Sequence, residues 1–248
     1  MRTGNPALNA KTFAVPRLRD AATERGMTIE GTVNRTGLLL VLLLLGAGWS
    51  WRVFYAEGVA ATMPYIWSGA LGGFVVALVT IFKKEWAAVT APVYAVLEGL
   101  CLGALSGFFE TQFPGIVLQA VGLTFGTLLA LLVAYKSGVI KATENFKLGV
   151  VAATGGIALV YIATLVLGFF GVAIPFIHGS GPLGILFSLF VVVIAALNLV
   201  LDFDFIESGA AQGAPRFMEW YAAFGLMVTL IWLYLEILRL LAKLRSRD

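Results

Sequence analysis

Charge is scarce in this chain. Asp, Glu, Lys and Arg make up 12% of its 248 residues, where a soluble domain carries about 25%. So few charges cannot coat a water-facing surface of this size, which excludes an ordinary soluble domain. The 60% apolar content suits a surface turned mostly to lipid. Cysteine is lacking except for Cys101, which lies inside an apolar run and reads as a small buried residue. One cysteine builds neither a disulfide framework nor a zinc site. Histidine is lacking except for His178, two residues from Ser180 in a loop. That spacing does not let the ring swing round as the serine's base, and no third group orients it. No Walker motif, no dinucleotide fingerprint and no Gly-x-Gly-Asp occurs. These absences predict a protein that is not an enzyme and holds no cofactor. The net charge of +3 is small, and the basic residues are scattered beside apolar runs, so nucleic acid is not an expected partner.

What the chain has instead is long hydrophobic runs. A bilayer core needs about 20 apolar residues per helix. Seven runs meet that need: Gly37 to Tyr55, Pro64 to Phe82, Val89 to Phe109, Pro114 to Tyr135, Leu148 to Phe170, Pro182 to Leu201, and Trp220 to Leu241. The expected fold is all-α, an integral membrane bundle of seven transmembrane helices over residues 37–241 with the last helix central. A polar N-terminal tail, 1–36, precedes it, and a basic C-terminal tail, 242–248, follows. The links are short, with Gly and Pro as punctuation, and none could hold a separate soluble domain.

Lys and Arg give the orientation. With the N-terminus in the cytoplasm, the inner segments hold twelve of them, including Lys83 and Lys84, while the outer segments before span seven hold only Arg52. That asymmetry follows the positive-inside rule. Arg239, Lys243, Arg245 and Arg247 disagree with it. Either the tail is an exception, or the last segment dips in and returns. Glycines four apart, at Gly69/Gly73, Gly99/Gly103/Gly107 and Gly122/Gly126, predict close helix packing.

Ionisable groups at lipid depth mark candidate functional positions, because each costs about 2.5–3.5 kcal/mol at a helix centre. Glu98 lies mid-way along span three, where a carboxylate needs a partner, water or a proton. Asp202 and Asp204 end span six, with Asn198 one turn before. Glu236 lies in span seven, with Arg239 one turn on. Glu236 and Arg239 also suit a plain i, i+3 ion pair near the interface.

Seven spans, Asp202 at the end of span six and Leu233-Tyr234-Leu235-Glu236 in span seven resemble the Bax-inhibitor family of transmembrane proteins. Phe82-Lys83-Lys84, followed by Tyr94 in span three, adds to the resemblance. The likeness covers roughly residues 35–245. It implies a pH-sensing carboxylate pair, Asp202 and Glu236, with Lys83 as the basic partner from span two. It also implies a pH-responsive calcium leak in a bacterial inner membrane, with Asp202 and Glu236 as transient calcium ligands. Here span seven carries Glu where the family commonly has Asp, and Lys83 stands where Arg is the partner. The implied partners are the lipid bilayer, calcium or protons, and other membrane proteins. The competing expectation is a non-transporting regulatory membrane protein that binds membrane proteases or other partners.

Overall fold

The computed structural model describes residues 26–171 and 179–246. Most of the N-terminal tail, His178 and Arg247 lie outside that range. Among the described residues every regular element is a helix, and seven are long and apolar enough to cross a membrane. Span one is Ile29–Glu57, span two Val59–Phe82, span three Lys84–Gln112 and span four Ile116–Lys136. Span five is Glu144–Phe169, span six Pro182–Ala211 and span seven Met218–Arg245.

Span one starts two turns before the apolar run. Thr28 sets that start: its side chain accepts the Gly31 N–H at 2.9 Å, satisfying one of the orphan donors of a first turn. Glu30 in the same turn suits the positive end of the helix. Thr143 caps span five in the same way, accepting from the Phe146 N–H. Spans one and two are joined by Gly58 alone, at φ 86° and ψ 178°. A Cβ strongly disfavours that conformation, so the one-residue reversal calls for glycine.

Span two is not uniform. Pro64 lies inside its first segment, Ser68–Gly72 is wound as a π-helix, and an α-helix resumes at Gly73. Span three opens with a 3-10 turn, Lys84–Trp86, before the α-helix Ala87–Gln112.

The described residues form two compact units. The first holds residues 26–114 and Asp204–Val228; the second holds residues 115–171, 179–203 and 229–246. Spans six and seven run unbroken through both. Small residues build the first unit. A Cβ on Gly99 or Gly103 would collide with the span-one carbonyls of Leu43 and Ala47, and one on Gly46 would lie 2.7 Å from the Val96 carbonyl. Gly69 meets the Leu97 carbonyl, and Gly107 faces the Phe54 ring. The expectation for Gly122 and Gly126 is corrected: both face open space. Glycine spacing alone does not say which face has a partner.

Span seven is the most enclosed, with 61% of its most apolar stretch buried against 11% for span five. It is also one continuous helix of 28 residues, about 42 Å long at 1.5 Å per residue. That length crosses a hydrocarbon core of about 30 Å. The helix carries no break of the kind that dipping in and returning calls for.

Candidate functional site

In the second unit, polar groups of spans five, six and seven meet one another. Lys243, late in span seven, donates from Nζ to the Gly184 carbonyl at 3.1 Å and to Ser188 Oγ at 2.8 Å, both early in span six. Thr229, early in span seven, lies beside Asp202, late in span six. The two helices are therefore antiparallel. Asp202, Asn198, Ser188 and Gly184 line one helix; Thr229, Glu236, Arg239 and Lys243 line the other.

Asp202 is 1% exposed, and neither carboxyl oxygen finds a hydrogen-bond partner among the described residues. The Thr229 side chain is the polar group placed beside it. One turn before, the Asn198 side-chain N–H donates to Thr154 Oγ1 on span five and to the Ile194 carbonyl, each at 2.8 Å. A buried amide is thus satisfied one turn from a buried carboxyl that is not.

Apolar residues interrupt the seam next. Ile157, Val191 and Ile194 pack together, with Leu197, Phe187 and Trp232 at their edge. Beyond them a second polar group forms around Glu236. Its Oε1 accepts the Tyr161 hydroxyl at 2.9 Å and Arg239 Nη1 at 2.8 Å. The same Nη1 donates to Glu236 Oε2 and to the Tyr161 oxygen. The guanidinium also lies 5.4 Å from the Tyr161 ring centroid, within cation–π range.

Asp202 and Glu236 are therefore not joined by a hydrogen bond. From Thr229, beside Asp202, to Glu236 is seven residues, about 10 Å of helix rise. The i, i+3 pairing of Glu236 with Arg239 occupies the carboxylate that was expected to meet Asp202. Lys83 belongs to the first unit, where it ends span two, exposed. The lysine that meets span seven there is its neighbour Lys84, whose Nζ lies 5.7 Å from the Tyr221 ring centroid. Asp204, also in the first unit, is half-buried. Glu98 is half-buried against span two. Among the described residues no group of three or more His, Cys, Asp and Glu could hold a metal ion.

The sequence profile of the Bax inhibitor 1 like family matches residues 5–246, nearly the whole chain and all seven spans. The chain belongs to the Bax inhibitor 1 like family. A search of curated proteins found no match. Membership of this family agrees with the acidic end of span six and the acid within span seven on which the resemblance was drawn.

Sequence reasoning missed Tyr161, Thr229 and Thr154, because a tyrosine or threonine inside an apolar run looks like filling. It also missed Glu219. That carboxylate, 3% exposed, accepts from the Thr28 N–H at 2.8 Å and the Thr28 hydroxyl at 2.9 Å, and pairs with Arg35. Arg35 stacks on Trp220, 5.2 Å from its ring centroid. The signal was present: Glu219 opens span seven, and Arg35 interrupts a helix start that needs a partner.

Proposed function

We propose that this Bax inhibitor 1 like protein is a pH-responsive cation leak, with calcium as the permeant ion. It would lie in a bacterial cytoplasmic membrane with its N-terminus inside. The observation that carries the reading is Asp202. A fully buried carboxyl with unsatisfied oxygens, at one end of a polar seam, has no packing purpose that an apolar residue would not serve better. Protonated, it presents no charge to a cation. As pH rises and the proton leaves, it becomes a hard oxygen ligand, with Thr229 beside it and Asn198, bonded to Thr154, one turn away.

The gating element differs from the expected carboxylate pair. Glu236 is neutralised by Arg239, so repulsion between two acids is not available. The closed element is instead the apolar layer of Ile157, Val191 and Ile194, which separates the two polar groups. A cation attracted to ionised Asp202 passes when that layer parts.

Purified protein in lipid vesicles with calcium outside and an indicator inside tests this directly. Entry that rises with pH, with no other protein present, is the expected result. Vesicles as tight as protein-free controls at every pH would favour the regulatory alternative, a membrane protein that acts only through partners.

A further inference from the structure

The seam leaves one carboxyl at membrane depth without a role. Glu98 belongs to the first unit and sits mid-way along span three, half-buried. It rests on the bare backbone of span two: a Cβ built on Gly73 would lie 2.7 Å from Glu98 Oε1. Immediately before Gly73, span two is wound as the π-helix Ser68–Gly72, a distortion that recurs at functional sites. One turn earlier, Gly69 admits the backbone of span three at Leu97 and Cys101. The glycine face and the altered winding thus lay the carboxyl against peptide groups.

Among the described residues no cation is placed to balance it. Span two has no ionisable side chain between Tyr65 and Lys83, and span one has none between Arg35 and Arg52. On span three its titratable neighbours are Tyr94 and Cys101. From span seven, Phe224 packs on Tyr94 with ring centroids 5.0 Å apart. Among the described residues no hydrogen bond or ion pair reaches the Glu98 carboxyl. A bare carboxylate at this depth is costly, and a bound proton or cation removes the cost.

We propose that Glu98 and the π-wound segment of span two form a proton-binding site separate from the Asp202 seam. The ligand is the proton, held on the Glu98 carboxyl against Gly73 and exchangeable with the aqueous phase. The site stands whether or not the seam conducts calcium.

Dicyclohexylcarbodiimide tests it on the whole protein in lipid vesicles. The reagent adds a protonated carboxyl O–H across its C=N bond. The adduct rearranges to a stable N-acylurea that keeps all the atoms of both reactants. Mass spectrometry of the digested protein should find the adduct on Glu98. Its yield should fall about tenfold per pH unit once the carboxyl ionises. Glu98→Gln should lose it and Glu98→Asp should keep it. If the Gln variant does not fold, the pH profile of the wild-type protein still decides. No adduct on Glu98 from about pH 5 to about pH 10, or a yield that does not change with pH, would overturn the proposal.

Discussion

Within the Glu236–Arg239 pair the two side chains carry unequal burdens. The Glu236 side chain is 2% exposed and that of Arg239 is 41% exposed. Arg239 can turn its head group to water if its partner is lost. Glu236 has no such escape, and would keep only the Tyr161 hydroxyl. Arg239→Met should therefore destabilise the protein by about 3 kcal/mol, the cost of leaving one charge of a buried pair behind. Glu236→Gln should cost less than half as much. Combining Arg239→Met with Glu236→Leu should recover most of the loss, because no charge then remains buried. Thermal unfolding in detergent checks the order of the three variants. Equal losses in the two single variants would show that exposure does not govern the pair. The same side chains explain the basic C-terminal end. Arg239 is held by Glu236 and Tyr161, Lys243 by Gly184 and Ser188, and Arg245 donates to Gln119 at 3.0 Å. These three residues fasten span seven to spans four, five and six, and Arg247 lies outside the described residues.

Among the helices, glycine faces decide which ones approach closely. Spans one and three meet through Gly46, Gly99 and Gly103, where even one methyl group would strike backbone. Gly99→Ala or Gly103→Ala should cost about 1–3 kcal/mol, the range for overpacking a tight contact. Gly122→Ala and Gly126→Ala on span four should be neutral or slightly stabilising, since Ala has the higher helix propensity and nothing stands in its way. Melting temperatures of the four variants test the contrast, and a loss at Gly122 as large as at Gly103 would contradict it. The seven spans were legible from run length alone, because a bilayer imposes one length on every crossing. The partner of each glycine face was not legible, because Gly122/Gly126 and Gly99/Gly103 share the same spacing. The unbroken course of span seven was likewise hidden, since its charges fit two topologies equally well.

For the molecule as a whole, the sequence singled out seven positions: Asp202, Glu236, Asn198 and Arg239 lie in the second unit, and Lys83, Glu98 and Asp204 in the first. Their pairing was not legible. Whether Glu236 turns to Asp202 or to Arg239 depends on the register between spans, which periodicity does not specify. The hydroxyls of Tyr161, Thr154 and Thr229 were invisible among apolar neighbours. The account rests on Asp202 as the titrating group of the seam, and the most direct test compares wild-type protein with Asp202→Asn. Calcium entry into vesicles containing purified protein should rise with pH for the wild type. For Asp202→Asn it should be flat across the same range, because the amide cannot lose a proton. A variant that keeps the full pH dependence of the wild type would contradict the account.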